Sequence, residues 1–293
     1  MTLPDSDTIV LFPDGTVSAD AVVLHVQPLP DGRVGVVLDR TPFHPLDLAW
    51  PDQGPDRGVL VAGDDEWPVL DVLIGAAQGE ELAVGDAMPV RPGTEGWTFA
   101  VVHVTPSDTE LTAGTAVRAA VDTDLRTALS VGHTACHLAS LALDHALAGA
   151  WSKPVPTDDL GAPAFDRLAV DRSVIRRYGS EDTYRVGRSL RKQGFDPSAL
   201  DDTEVLSARV EATLRDWIGT GAPVRIDRVD QGLTGRRTWV CALPDGEARI
   251  PCGGTHVASL AELGPISVRF VTEPQKGGLG LTMTTRVTPE PSN

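Results

Sequence analysis

His133-Thr134-Ala135-Cys136-His137 lies in the middle of a stretch that reads as one long helix, from Asp122 or Thr123 to about Ala148. Either of the first two residues can cap it, and Gly149 stands just past its end. Leu125, Leu129, Leu138, Leu141, Ala142 and Ala148 give it a core-facing stripe. On a helix, positions four apart stack on one face, so the imidazoles of His133 and His137 can converge on a single ion. Gly132 sits inside the helix at a cost of about 0.8 to 1 kcal/mol against Ala, tolerable where a ligand or another backbone passes close by. His145 lies roughly 120° around the helix from His133 and reads as a packing or surface residue.

A second stretch, Cys252-Gly253-Gly254-Thr255-His256, offers a thiolate and an imidazole at the same separation. Its Gly-Gly pair lets the backbone pass close to a ligand. Alone, HxxxH recurs in helices by coincidence, and CxxxH carries less still. Yet the chain has only seven His and three Cys, and four of these ten form two matched pairs. His133, His137, Cys252 and His256 together are a zinc set. Structural zinc sites are closed and usually Cys-rich, so one Cys with three His points to catalysis, with structural zinc as the alternative. Cys136 and Cys241 read as small core residues.

Outward from these stretches, residues 1 to about 105 read as β. Asp14-Gly15 and Asp31-Gly32 separate short apolar runs such as Ala21 to Val26 and Val34 to Leu38, as hairpin turns do. Further short strands are expected at Gly58 to Ala62, Leu82 to Val84 and Trp97 to Val104, and a small β-barrel is their natural closure. A helix from about Asp202 to Ile218 has Leu206, Val210, Leu214 and Ile218 at core spacing. From Gly221 the pattern is β again, ending in a hairpin around Lys276-Gly277-Gly278. Helices on one face of an antiparallel sheet make this part α+β. The expected organisation is a β-barrel domain over 1–105 and an α+β domain over 106–293.

Within the second, residues 152–195 hold nine basic residues against six acidic ones, with Tyr178 and Tyr184 among them. Arg176, Arg177 and their neighbours could grip phosphates while the tyrosines stack on a base. The alternative is a solvated helical face. The chain as a whole carries a formal charge of -16, which repels polyanions at long range and restricts any RNA contact to a local surface. Three sparse cysteines fit a reduced cytosol, hence a cytoplasmic location. The first ten residues do not read as a signal peptide, and no run is apolar enough to span a bilayer.

Two blocks carry a family resemblance. His133-Thr134-Ala135-Cys136-His137-Leu138, preceded by Val121-Asp122 and Arg126, resembles the HTAxHL block of the alanyl-tRNA synthetase editing domain and its freestanding AlaX-type relatives. Cys252-Gly253-Gly254-Thr255-His256-Val257, followed by Glu262-Leu263-Gly264-Pro265, resembles the same family's CGGTHV block. Threonyl-tRNA synthetase editing domains are similar in both. Thr41-Pro42-Phe43-His44 with Gln53-Gly54-Pro55-Asp56-Arg57-Gly58 resembles the loop bordering the family's editing pocket, but Pro51-Asp52 stand where the family has two glycines.

The resemblance implies an α+β editing domain, with 152–195 as a partly basic insertion. It further implies a trans-acting hydrolase of the ester joining a mischarged small amino acid to tRNA. The amino acid would be Ser, Ala, Gly or a Thr-like one, including a non-proteinogenic analogue such as fluorothreonine. His133, His137, Cys252 and His256 would be the catalytic and zinc-binding residues; Gln53, Gly253, Gly254 and Thr255 would line the aminoacyl pocket. Aminoacyl-tRNA is the implied partner. A zinc-dependent hydrolase of a small-molecule ester or amide, and a non-catalytic tRNA-binding relative, are the competing readings.

Overall fold

A computed structural model describes residues 3–47 and 51–288. They divide into two compact units: Met1–Thr127 with Ile226–Arg237 and Gly253–Thr255, and Ala128–Arg225 with Thr238–Cys252 and His256–Asn293.

In the first unit the chain forms β1 (Ile9–Val10), β2 (Ser18–Pro28), β3 (Val34–Leu38), β4 (Arg40–Thr41), β5 (Gly58–Ala62), β6 (Asp65–Val69), β7 (Asp71–Gln78), β8 (Glu81–Val84), β9 (Thr98–Thr105) and β10 (Ala116–Val121). β1 and β4 pair in parallel. The other eight make one antiparallel sheet in the order β6-β5-β10-β2-β3-β9-β7-β8. The turn at Asp31-Gly32 is as expected, with Gly32 in the left-handed region at φ 84°.

The expected closed barrel is corrected: among the described residues β6 and β8 end the order and do not pair with each other. β2 instead divides its pairing between two partners. Its first half pairs with β10 and its second half with β3, across an irregularity between Val23 and His25 that bends the strand. Phe99 and Val101 pack with Val36, Leu38 and Ile74 on one side of β9, while Ala100 and Val102 pack with Val37 on the other. A strand buried on both faces shows no polar alternation, which is why β9 reads as a continuous apolar run.

One buried ion pair organises the loop after β4. Arg126 is 5% exposed and Asp56 1%. The Arg126 guanidinium donates through Nε to Asp56 Oδ1 at 3.0 Å and through Nη2 to Asp56 Oδ2. It also reaches the Pro42 carbonyl at 2.7 Å, and Asp56 Oδ2 accepts the backbone N–H of His44 at 2.5 Å. Both ends of the 42–56 segment are therefore tied to one guanidinium.

The helix α1 (Thr123–Ala146) begins as the sequence indicates: Asp122 Oδ1 accepts from the N–H groups of Asp124 at 3.1 Å and Leu125 at 3.0 Å. From Ala128 it belongs to the second unit. Ala128, Leu129, Val131, Ala135, Leu138, Ala139, Ala142 and Leu143 are all buried, so the helix is enclosed on most sides rather than along one stripe. A Cβ on Gly132 would lie 2.3 Å from the Arg176 carbonyl and 2.6 Å from that of Gly179. The glycine is thus explained by another backbone crossing the helix.

That crossing backbone belongs to the 152–195 stretch, which is not the helical face weighed above. It contains α2 (Phe165–Ala169), a hairpin of β11 (Val170–Arg176) and β12 (Gly179–Val186), and the short α3 (Arg188–Lys192). Tyr178 makes the hairpin turn at φ 57°, donating to the Ala128 carbonyl and accepting from the Val287 N–H, each at 2.8 Å. Tyr184 is 2% exposed and donates to Asp166 Oδ1 at 3.0 Å, so it cannot stack on a base.

The chain continues through α4 (Thr203–Ile218), β13 (Val224–Arg228), β14 (Arg237–Leu243), β15 (Gly246–Pro251), β16 (Ile266–Gln275) and β17 (Gly278–Val287). β14 and β15 form an antiparallel hairpin, and the second unit's main sheet is antiparallel in the order β11-β12-β17-β16. Asp202 caps α4, whose buried stripe is Leu206, Val210, Leu214 and Trp217. Trp217 takes the place expected for Ile218, which is half-buried. The content is α+β. No helix among the described residues is long and apolar enough to cross a membrane.

Asp144 in α1 is buried, and its Oδ1 accepts the Asp166 N–H at 2.7 Å. Burial raises its carboxyl from the usual 3.8 to about 8. The folded state therefore holds a proton that the unfolded chain releases near pH 4. The resulting stability is complete below that pH and is lost as pH rises through about 8. Asp144→Asn keeps the acceptor and cannot ionise. Its stability advantage over the parent should grow between about pH 4 and pH 8, by on the order of a few kcal/mol, then level off. Thermal unfolding across this range checks it; a gap independent of pH would mean that Asp144 is already ionised in the native protein.

Candidate metal centre

Four side chains of the second unit converge. His133 and His137 lie on successive turns of α1, with ring centroids 4.8 Å apart. The His256 ring is 4.3 Å from that of His133 and 4.8 Å from that of His137. Cys252 Sγ lies 3.5 Å from His133 Nε2 and 3.3 Å from His256 Nε2. One ligand atom from each of the four can be chosen so that all lie within 4.8 Å of one another. One sulfur and three nitrogens at these separations suit a tetrahedral ion bound at about 2.0 to 2.3 Å.

The protonation states favour metal binding too. Burial pushes the Cys252 thiol upward, but the neighbouring His133, His256 and His137 outweigh it and carry the group well below its usual value, toward thiolate. Burial and the charge of His133 lower His256 to about 3, which keeps its imidazole neutral. A thiolate and, at His256, a neutral imidazole are the forms that ligate. His137 Nδ1 is buried without a hydrogen-bond partner, as a nitrogen awaiting a ligand would be.

Thr134, between the two helix histidines, orients a third. Its hydroxyl donates to the Ser130 carbonyl at 2.9 Å, having only one proton to give. At 3.2 Å from His256 Nδ1 it therefore accepts, which fixes the His256 tautomer with its lone pair on Nε2, facing Cys252. The same oxygen accepts the Val257 N–H at 3.2 Å. Trp239, fully buried, packs edge-on against His137 at 5.0 Å and sets its ring plane. Sequence reasoning missed both. Thr134 was available as the hydroxyl one residue past His133, whereas nothing local marks Trp239.

Of the other sequence-derived candidates, Gln53 and Thr255 meet in the first unit. Gln53 Nε2 donates to Thr255 Oγ1 at 2.9 Å, and Gln53 Oε1 accepts the Thr255 N–H at 3.0 Å. A bidentate clamp of this kind positions Thr255. Gly254 is buried; among the described residues a Cβ on Gly253 would meet Asp47 Oδ2 at an ordinary 3.6 Å. Arg176 and Arg177 are exposed at the β11–β12 turn. The two remaining cysteines are not part of the cluster. Cys136 donates to Asp182 Oδ1 at 3.3 Å with its thiol pushed well up by burial, and burial raises Cys241 to about 11.

No protein-family model matches the chain. Curated relatives do. It is 32% identical over 240 residues to alanine-tRNA ligase of Frankia alni, covering 80% of this chain and 22% of the ligase. It is 28% identical over 285 residues to alanine-tRNA ligase of Halorubrum lacusprofundi, covering 94% of this chain and 25% of the ligase. The chloroplastic/mitochondrial alanine-tRNA ligase of Arabidopsis thaliana is 30% identical over 232 residues, covering 79% of this chain and 20% of the ligase. The chain is thus similar, over most of its length, to a segment of these ligases, and it spans between a fifth and a quarter of their length.

Proposed function

We propose that this protein is a metal-dependent aminoacyl-tRNA deacylase, hydrolysing the ester between a small amino acid and the tRNA terminal ribose. The observation that carries the reading is the convergence of Cys252 with His133, His137 and His256 within 4.8 Å. The similarity to alanine-tRNA ligases supports tRNA as the macromolecular substrate. The division near residue 105 into a β domain and an editing domain, with 152–195 inserted, belongs to the same proposal.

Cys252, His133, His137 and His256 would hold zinc. Held by three or all four of them with a position kept for water or substrate, zinc would supply Lewis acidity toward water and toward the ester carbonyl. The chain's own residues supply the rest. Thr134 holds His256 in the tautomer that presents Nε2, and Trp239 fixes the plane of His137. Thr255, set between Gly253-Gly254 and His256 in sequence, offers a hydroxyl whose direction Gln53 controls. That is a means of telling a small polar side chain from an apolar one.

The test is release of amino acid from tRNA charged separately with Ser, Ala, Gly, Thr or fluorothreonine, with and without chelator. Chelator-sensitive release of one of them by the purified chain establishes the activity, its action in trans and its substrate. No turnover of any aminoacyl-tRNA by zinc-loaded protein would transfer the reading to hydrolysis of a small-molecule ester or amide, which the acidic charge tolerates better.

A further inference from the structure

The β11-β12-β17-β16 sheet has one buried face, carrying Ile175, Tyr184, Met283 and Phe270. Alternation sends the neighbouring positions of every strand to the opposite face. Five of these are arginines, Arg172 and Arg176 on β11, Arg185 on β12, Arg286 on β17 and Arg269 on β16, and all five are exposed. The cross-strand register puts Arg176 in one row with Arg286, and Arg172 in another with Thr183 and Thr282. The row between them runs from Glu181 through Thr284 to Arg269. Against five arginines the face sets Glu181 and Glu273, with Asp171 exposed at the β11 irregularity beside Arg172 and with Glu204 and Glu211 of α4 lining a groove beside Arg269.

This distribution runs against the chain as a whole, where 41 acidic residues outnumber 25 basic ones. Exposed sheet faces commonly stabilise themselves with opposite charges across strands. Here no ion pair among the described residues engages any of the five guanidinium groups, whereas Arg33, Arg225, Arg228 and Arg249 elsewhere are paired. Strand geometry spaces these arginines at about 8 to 13 Å, on a surface otherwise supplied with threonine hydroxyls. Guanidinium groups with interspersed hydroxyls are the donors that contact sugar-phosphate backbone. The Arg176 end of the face is fixed, because the Arg176 and Gly179 carbonyls abut Gly132, one residue before His133.

We infer that this arginine face is a docking surface for the sugar-phosphate backbone of RNA, and that the occupant is the tRNA itself. The inference rests on the deacylase reading for the identity of the RNA. It replaces the stacking expected of Tyr184, which is buried, with contacts to the sugar-phosphate backbone. It also explains how a chain of charge -16 could hold a polyanion: five of its 25 basic residues share one sheet face.

The probe is uncharged tRNA, so that binding is measured independently of turnover. Changing Arg172, Arg269 and Arg286 together to Gln should weaken binding about tenfold near 0.1 M salt. It should also make the dependence of log K on log salt shallower by about 2, as loss of two or three phosphate contacts requires. Arg91, Arg118 and Arg215 changed to Gln, equally exposed but off this face, should leave both unchanged. Unchanged affinity and slope in the first variant overturn the inference. An equal loss for duplex DNA of similar length overturns RNA as the occupant and leaves a general polyanion surface. Face-dependent tRNA binding by a protein that hydrolyses no aminoacyl-tRNA would remove the deacylase reading while leaving this one standing.

Discussion

Cys252→Ala protein is expected to release amino acid from charged tRNA at least about a hundredfold more slowly than the parent, and to purify with little bound zinc. The expectation follows from what the thiolate contributes. It is the one member of the set that binds a cation as an anion, the other three being histidines, and its Sγ lies within 3.5 Å of two of them. Removing it leaves a tripod of histidines with no anion to balance a divalent cation. Loss of groups that merely orient metal ligands typically costs 10- to 100-fold, and loss of a ligand should exceed that. The measurement pairs deacylation rate with metal content. Retention of both would show that the cluster is not the catalytic centre; loss of zinc with full activity would show that the metal is structural.

These four residues were legible in the sequence because they belong to rare types and recur at helical spacing. His133 and His137 sit on α1, whose cap at Asp122 and buried interior were equally plain. The barrel was not legible. Alternation announces strands but does not say whether the outermost two meet, and β6 and β8 do not. β6 itself escaped notice because Asp65, Glu66 and Pro68 make a poor strand by composition. Such residues are tolerated on an edge, where one side of the backbone needs no partner.

The 152–195 stretch was opaque for a related reason. The exposed positions of β11 and β12 are charged, so the hairpin resembles a solvated segment until its partners β17 and β16 are known. Only tertiary pairing distinguishes Tyr184, buried against Phe165, from an aromatic free to stack. The use of Gln53 was equally invisible. A polar residue in a loop could face a ligand or a neighbour, and its clamp on Thr255 spans 202 residues of sequence.

Arg126→Leu should destabilise the protein by about 3 to 5 kcal/mol, the largest single effect on stability expected here. The cost does not measure the attraction of the pair. Both groups left water on folding, and removing the guanidinium leaves the Asp56 carboxylate enclosed with only the His44 N–H to satisfy it among the partners described above. The Pro42 carbonyl loses its donor at the same time. Asp56→Leu should be similarly costly, since it strands the guanidinium. Replacing both by leucine should cost less than either alone, because no buried charge remains. A double-mutant cycle by denaturant unfolding checks this ordering. Additive costs would mean that the two groups act independently. The pair also holds the 42–56 segment at two points, with Gln53 lying inside it. A double variant that regains stability should therefore still lose precision at Thr255, and should discriminate among the charged tRNAs less well than the parent.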